Sequence, residues 1–259
     1  MQQFQDRVAV ITGAASGIVR GLARRCAKEG MQVVLADIEV AALAETEAEL
    51  RALGAPVLAV VTDVAKAEDV EALARKTLET FGAVHLLCNN AGVGLVRSVW
   101  ESSLTDWNWV LGVNLLGVIH GLRVFVPIML EQEIEGHIVN IALSETLYHE
   151  LAQRGAKVKV SVLLPAWVNT RIVDAERNRP LALRNAPGTV PVHPQDEAVI
   201  QATRQGIQQG ISPDQVADIV LWAIRNEQLY VFTHPETKAW VRAHMEGMLA
   251  ERNPPLAEP

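Results

Sequence analysis

Short apolar runs alternate with longer helical patterns along most of the chain. The first two runs, Arg7 to Thr12 and Gln32 to Asp37, are apolar throughout their interiors, as strands covered on both faces must be. The segments that follow them, Ser16 to Glu29 and Glu39 to Ala52, repeat apolar residues at helical spacing. This order predicts an α/β fold, a three-layer doubly wound parallel sheet of about seven strands, in one domain over residues 1–259.

Two segments depart from the alternation. Residues 171–211 carry several prolines among mixed polar and apolar residues, and such a long, weakly patterned stretch is usually a mobile lid or disordered. We therefore expect residues 171–211 to be a mobile lid or disordered, and residues 253–259 to be a frayed tail. Ser212 and Pro213 mark the start of a helix, because serine caps a helix N-terminus and proline suits the first helical position.

Composition narrows the classes of function without choosing one. The chain is 49% hydrophobic and 20% charged, which is ordinary for a soluble globular protein. Its net charge of −7 argues against nucleic acid or an anionic membrane as a partner. Cys26 and Cys88 stand alone, no metal-ligand spacing occurs, and no apolar run approaches the roughly 18 residues of a membrane helix. Because the polar start has no signal-peptide pattern, we expect a cytoplasmic protein. The missing ligand spacing leads us to expect no metal site.

A glycine-rich turn follows the first strand and opens the first helix. It contains Gly13 and Gly17, and the free amides and positive dipole end of the helix there can bind a pyrophosphate. Asp37 ends the second strand about twenty residues later, where its carboxylate can accept hydrogen bonds from an adenosine ribose. That carboxylate would repel a 2′-phosphate, and neither Ser16 nor Ile38 supplies a compensating cation. NAD is therefore favoured over NADP as the cofactor.

These motifs, together with several later ones, resemble the short-chain dehydrogenase/reductase family. The turn resembles the family pattern T-G-x-x-x-G-x-G, and Asn89-Asn90-Ala91-Gly92 resembles its N-N-A-G pattern. The resemblance implies a Rossmann scaffold, an NAD cofactor, hydride transfer with a small alcohol or ketone, and a homo-oligomer. Asn114 matches the asparagine that backs the family's catalytic lysine through water. The cofactor-binding residues that the resemblance implies are Thr12, Gly13, Ser16, Gly17, Ile18, Asp37, Asp63, Val64, Asn90, Ala91, Gly92, Pro165, Val168 and Thr170.

One position of the glycine-rich turn departs from the family pattern. Val19 stands where the family has its third glycine, which permits close packing of helix against strand. A β-branched side chain there must push the helix outward or crowd the phosphate loop, and overpacking of this kind costs about 1 to 3 kcal/mol. We expect weakened cofactor binding. Ala166, where the family usually has glycine after Pro165, is a milder departure.

The family's catalytic serine, tyrosine and lysine have no counterpart in this sequence. The strand Gly136 to Ala142 resembles the family's fifth strand up to the residue before the serine. Leu143 then begins a stretch that resembles only the latter half of the catalytic helix, so about two dozen family residues are absent. In the family the serine holds the substrate oxygen, the tyrosine passes the proton, and the lysine lowers the tyrosine pKa.

Ser144 and Tyr148 are the nearest replacements, and neither fits the lost roles well. Ser144 stands at the junction of strand and helix and is better interpreted as an N-cap. Tyr148 is followed by Ala152 at the position on the same helix face where a lysine is needed. A tyrosine without a neighbouring cation is a poor base at neutral pH.

The sequence alone leaves three interpretations open. The favoured one is an oxidoreductase scaffold that keeps NAD binding and is catalytically impaired. The second is an active NAD-dependent oxidoreductase, if the protein carries a segment that the sequence as written lacks. The third is a structural or interaction protein in which Val19 has abolished cofactor binding. The junction Ala142–Leu143 and residue 19 are the features that discriminate among them.

Overall fold

A computed structural model describes residues 1–141, 144–186 and 194–253, with the side chains of the last range described from residue 197. The described part of the chain forms a seven-stranded sheet in the order β3-β2-β1-β4-β5-β6-β7, and every pairing is parallel. The predicted doubly wound α/β sheet is therefore confirmed. The strands are β1 (Val8–Thr12), β2 (Gln32–Asp37), β3 (Val57–Val61), β4 (Leu86–Asn89), β5 (Gly136–Asn140), β6 (Val158–Leu164) and β7 (Tyr230–Phe232).

Helices connect the strands and cover both faces of the sheet. The α-helices are α1 (Gly17–Lys28), α2 (Val40–Ala52), α3 (Ala67–Phe81), α4 (Leu104–Leu111), α5 (Gly117–Glu131), α6 (Glu145–Gln153), α7 (Pro194–Gln208), α8 (Pro213–Arg225) and α9 (Thr237–Leu249). A π-helical turn, Gly112–Leu116, joins α4 to α5, and two 3₁₀ segments, Ile172–Asn178 and Leu181–Leu183, follow β6. The sequence did not predict α7, which lies inside the stretch expected to be weakly patterned, or α9, which has no buried residue.

The core consists of two apolar layers, one on each face of the sheet. On one face α1 and α8 pack together, and Gly21 lies so near α8 that a Cβ there would stand 2.7 Å from the Pro213 backbone. On the other face α3 and α5 pack through side chains such as Leu73 and Phe125, both fully buried. Burial of each large apolar side chain stabilises the fold by about 1.5 to 3 kcal/mol, so both layers hold the strand ends in fixed positions.

Two histidines lie inside the sheet, on neighbouring strands. The amide of Val8 donates to Nδ1 of His85 at 3.0 Å, which keeps that ring neutral. Nε2 of His137 lies 2.8 Å from the hydroxyl of Ser161. Burial, aided by the charge of Arg7, lowers the pKa of His85 to about 4. Burial, aided by the N-terminal charge and Lys159, lowers the pKa of His137 to about 3. Both rings are therefore uncharged in the folded protein at neutral pH.

One helical stretch corrects an expectation about apolar length. Within the described residues, Leu104–Glu131 is long and apolar enough by composition to cross a membrane, with a mean hydropathy of 1.8 over its best window. The expectation that no apolar segment approaches the length of a membrane helix was wrong. Polar residues interrupt this segment, but its average hydropathy stays high enough for a membrane helix. In the structure the stretch packs on the sheet through Phe125 and Met129.

Candidate active site

A cavity of about 550 Å³ opens at the carboxyl ends of β1, β2, β4 and β6. This edge is where doubly wound sheets bind ligands, and the volume is within the range of organic-ligand sites. Thirteen of the fourteen predicted cofactor-binding residues, together with Asn114, line this cavity. They are Gly13, Ser16, Gly17, Ile18, Asp37, Asp63, Val64, Asn90, Ala91, Gly92, Pro165, Val168 and Thr170.

Thr12 is the predicted cofactor-binding residue that the structure places elsewhere. Its side chain is buried behind the cavity wall, where the hydroxyl donates to the Cys88 carbonyl at 3.2 Å. The same oxygen accepts from the amides of Asn90 and Ala91 at 3.1 and 3.2 Å. Thr12 therefore positions the loop after β4 and does not itself face the cavity.

The glycine-rich turn makes a cradle that side chains would fill. Gly13 has a φ of +75°, and a Cβ there would lie 2.9 Å from Cα of Ala91. Gly17 has a φ of +64°, and its Cβ would meet Thr170 at 3.3 Å. Ser16 stands at the N-cap of α1 without a capping hydrogen bond from its side chain, so the first amides of the helix can bind an anion.

Val19 is both buried and part of the cavity wall. Its side chain is 2% exposed and packs with the apolar cluster beneath α1. The side chain thus contributes both to the core under α1 and to the cavity wall, and weakened cofactor binding stays a prediction.

Asp37 is held at the end of β2 by the backbone on either side. Its carboxylate accepts from the amides of Ala15 and Glu39, each at 2.9 Å. Burial raises the pKa of Asp37, although these amide hydrogen bonds oppose the shift. The carboxylate thus joins the phosphate loop to the start of α2 at one end of the cavity.

Asn114 holds the loop after β4, on the side of the cavity opposite Asp37, through two hydrogen bonds. It lies in the π-helical turn, where its Oδ1 accepts from the Val93 amide at 2.8 Å and its Nδ2 donates to the Val93 carbonyl at 2.9 Å. The sequence predicted that Asn114 backs a catalytic lysine. In the structure its amide holds the loop after β4, a role that needs no lysine.

The residues that line the cavity fit a nicotinamide dinucleotide. The cradle at Gly13 leaves space beside the free amides of α1, which suits a pyrophosphate. Asp37 offers a carboxylate to ribose hydroxyls. Oδ1 of Asn90 is buried on the cavity wall and has no hydrogen-bond partner in the structure, so it can accept a hydrogen bond from a bound ligand.

Ser144 lies away from the cavity and does not cap α6 with its side chain. Ser144 is the N-cap residue of α6, as predicted, but its helical backbone (φ −112°, ψ −23°) differs from the extended conformation typical of capping residues, and its side chain makes no capping hydrogen bond. Its Oγ accepts from Nδ2 of Asn140 at 3.3 Å, and Asn140 in turn accepts from Nδ2 of Asn89 at 3.0 Å. Ser144 lines a separate groove of about 810 Å³ between α5, α6 and β6. The junction Ala142–Leu143 lies outside the described residues.

Neither of the chain's two tyrosines lines the cavity. Tyr148 is 42% exposed on α6, with its ring edge-on to His149 at 5.5 Å between centroids. The hydroxyl of Tyr230 donates to Oε1 of Glu145 at 2.6 Å, and this hydrogen bond raises the pKa of Tyr230. Among the described residues, no lysine lines the cavity either.

The segment after β6, residues 171–186 and here called the lid segment, is fastened to α4 by buried charges. Arg179 is 4% exposed, donates to Asp106 at 2.6 Å and lies 4.2 Å from the Trp109 ring centroid. Burial of Asp106 opposes its ionisation, but hydrogen bonds from Arg179, the Ser103 amide and Asn185 outweigh it and lower the pKa of Asp106 to about 2. The sequence analysis missed this anchor, whose partners are 73 residues apart.

The lid segment also brings a cation to the cavity that the sequence analysis missed. Arg177 lines the cavity, and its Nη2 lies 3.4 Å from Oγ of Ser16. Its Nε donates to Oε1 of Glu39 at 3.1 Å. The described residues include no group of three or more histidine, cysteine, aspartate or glutamate side chains that could hold a metal ion.

This fold and this cavity define a dinucleotide-binding α/β protein, and comparison with known proteins identifies its family. The family model described as short chain dehydrogenase matches residues 7–144, more than half of the chain. The chain belongs to the short-chain dehydrogenase/reductase family. Relatives that align over nearly all of this chain support the same conclusion.

Three relatives illustrate the similarity. The chain is 30% identical over 283 residues to a C alpha-dehydrogenase of Sphingobium sp. strain SYK-6, which covers 100% of this chain and 90% of that protein. It is 29% identical over 280 residues to a CLA biosynthesis dehydrogenase/reductase of Lactiplantibacillus plantarum, with 98% and 97% covered. A short-chain dehydrogenase/reductase from Burkholderia phymatum, solved in complex with NAD, is 43% identical over 100% of both chains, with a TM-score of 0.96.

Proposed function

We propose that this chain binds NAD(H) and that its oxidation of alcohols or reduction of ketones is impaired. The observation that carries the proposal is the composition of the cavity wall, which among the described residues includes no tyrosine and no lysine. The two tyrosines of the chain are engaged elsewhere, Tyr148 on the surface of α6 and Tyr230 with Glu145. Without a positioned proton donor, turnover falls by a factor of about 10² to 10⁴.

The chain's own residues account for the binding half of the function. NAD, when bound, supplies the hydride acceptor, and NADH the hydride donor. The amides at the start of α1 would hold the pyrophosphate, Asp37 would accept hydrogen bonds from the adenosine ribose, and Asn90 would offer its unpaired Oδ1 to the bound cofactor. Thr12 and Asn114 keep the loop after β4 in place through the hydrogen bonds described above.

Alignment lengths support the absence of a segment. The alignment with the Sphingobium dehydrogenase spans 283 positions, whereas this chain has 259 residues, a difference of 24 positions that face no residue here. The alignment gives this total without the position of the gaps, so their place at Ala142–Leu143 stays a prediction. The relatives are named as dehydrogenases, which favours a second candidate function, a working oxidoreductase on an alcohol or ketone.

Binding and turnover measurements separate the two candidates. Kd values for NADH and NADPH are measured by quenching of tryptophan fluorescence, and turnover by NADH absorbance over a panel of apolar and aromatic alcohols and ketones. The matched variant carries a family-like segment with serine, tyrosine and lysine inserted between Ala142 and Leu143.

The proposal predicts that the unmodified chain binds NADH and turns over at least 100-fold more slowly than the repaired variant. Equal rates in the two proteins would contradict it and support the working oxidoreductase. A chain that folds cooperatively but binds neither nucleotide would instead support the structural interpretation.

Two further parts of the proposal concern the protein's surroundings. We propose a homo-oligomer, because Trp107, Leu111, Leu115 and Ile119 expose apolar area along one side of α4 and α5. Light scattering after size-exclusion chromatography tests it, and a monomer at micromolar concentration would contradict it. We also propose a cytoplasmic protein with neither nucleic acid nor membrane as a partner, on the strength of the net charge of −7.

A further inference from the structure

Glu39 and Arg177 meet at the adenosine end of the cavity, next to Asp37. Nε of Arg177 donates to Oε1 and Oε2 of Glu39 at 3.1 and 3.3 Å, and its Nη2 lies 3.0 Å from Oε1. The side chains are only 22% and 21% exposed, so water weakens this ion pair less than it weakens a surface pair. The pair joins the lid segment to the residues that follow β2.

The guanidinium of Arg177 has a partner for each of its nitrogens. Nη1 donates to the carbonyls of Arg171 and Asp174 at 3.0 and 2.9 Å. Nη2 is shared between Glu39 and the hydroxyl of Ser16. A 2′-phosphate that approached Arg177 would therefore have to displace the Glu39 carboxylate.

The neighbouring groups place this ion pair where a ribose 2′-substituent is expected. The Ala15 amide, one residue before Ser16, donates to Asp37, which also accepts from the amide of Glu39. Ser16, Asp37 and Arg177 all line the cavity. Arg171 is the other arginine that lines the cavity. Arg177 is itself paired with Glu39, whose amide donates to Asp37, so a phosphate that approaches Arg177 meets two carboxylates beside that cation.

We propose that Glu39 is a second determinant of cofactor selectivity, which acts by keeping Arg177 engaged and unavailable to a 2′-phosphate. The inference rests on the proposed NAD(H) binding and adds a residue to the argument from Asp37. Glu39→Gln leaves the side chain's shape and removes its charge, so it frees the guanidinium beside Ser16. Bidentate pairing with phosphate is the interaction that arginine makes best.

The test compares NADH and NADPH binding in four proteins: the unmodified chain, Glu39→Gln, Glu39→Gln with Arg177→Gln, and Glu49→Gln. Glu49 is the matched control, because it is also a partly buried, ion-paired glutamate, bound to Arg20 and Arg24 outside the cavity. We expect Glu39→Gln to tighten NADPH binding about tenfold relative to NADH. The double variant should lose this gain, and Glu49→Gln should not show it.

An unchanged NADPH-to-NADH ratio in Glu39→Gln would overturn the proposal, as would a gain that persists without Arg177. Adenosine 2′,5′-bisphosphate and 5′-AMP provide a second pair of probes that occupy the adenosine end alone. If the unmodified chain binds no NADH, the proposed function fails, but a gain for the bisphosphate over 5′-AMP in Glu39→Gln still supports the role of Glu39. If Glu39→Gln keeps its melting temperature but binds neither adenosine probe, the proposed role of Glu39 is refuted.

Discussion

Mild acid should destabilise this protein through the two histidines buried in its sheet. A histidine has an ordinary pKa of about 6.5 in an unfolded chain. In the folded protein the pKa of His85 is about 4 and that of His137 about 3. Because both folded-state values lie below the unfolded value, the unfolded chain takes up protons first. The stability is therefore fully present above pH 6.5 and is lost as the pH falls.

The size of the effect follows from proton linkage. Between neutral pH and pH 5, each histidine lowers the free energy of unfolding by about 2 kcal/mol, and the two together by about 4 kcal/mol. A loss of this size is a large fraction of the roughly 5 to 15 kcal/mol that stabilises an average domain. This loss of stability occurs at a higher pH than the protonation of most carboxylates, which takes place below pH 5.

Urea unfolding at pH 8, 6 and 5, followed by tryptophan fluorescence, measures this loss. The variant His85→Gln with His137→Gln should be less stable at pH 8, because it disturbs the contacts with Val8 and Ser161. Its stability should nevertheless change much less between pH 8 and pH 5. His244→Gln, an exposed change on α9, is the control and should keep the full loss. An identical pH dependence in the double variant and the unmodified chain would refute the assignment to these histidines.

Three other changes have expected outcomes that the structure defines. Val19→Gly should tighten NADH binding about fivefold by relieving the cavity wall, while glycine in the helix lowers the melting temperature; weaker binding in a fluorescence titration would refute the crowding argument. Gly21→Ala should cost about 1 to 3 kcal/mol in urea unfolding, because its Cβ would lie 2.7 Å from the Pro213 backbone. Asp106→Asn should cost about 3 kcal/mol by leaving buried Arg179 with the exposed Glu176 as its carboxylate partner, and a loss below 1 kcal/mol in the same assay would contradict this role.

Local signals made the fold predictable. The predicted bounds of β2, Gln32 and Asp37, agree with the structure. An apolar run between turn signals leaves few alternative positions for the ends of a strand. The cap at Ser212 was predicted correctly, and a glutamine three residues later completes a capping box there. At Ser144 the corresponding residue is Leu147, whose side chain cannot accept from the Ser144 backbone amide, so the reciprocal half of a capping box is missing and the hydroxyl makes no capping hydrogen bond.

Contacts between distant parts of the chain explain what the sequence analysis missed. Glu39 and Arg177 are 138 residues apart in the sequence. No periodic pattern in the sequence indicates that a glutamate after β2 pairs with an arginine in a proline-rich segment. Thr12 was assigned to the cofactor because its motif was recognised, whereas its burial depends on the packing of β1 against β4. The helix α9 was missed because its apolar residues, among them Trp240, form no buried face.

The hydrogen bonds of Thr12 and Asn114 join the loop after β4 to β1 and to the π-helical turn. In genetic terms, under the proposed function, a single in-frame loss of codons between β5 and α6 would remove the chemistry and leave this loop supported. A protein that binds reduced nucleotide without consuming it holds that nucleotide in proportion to its own concentration. Such a chain acts on the cell's cofactor pool as a reservoir, so its abundance, and not its turnover number, sets the size of its effect.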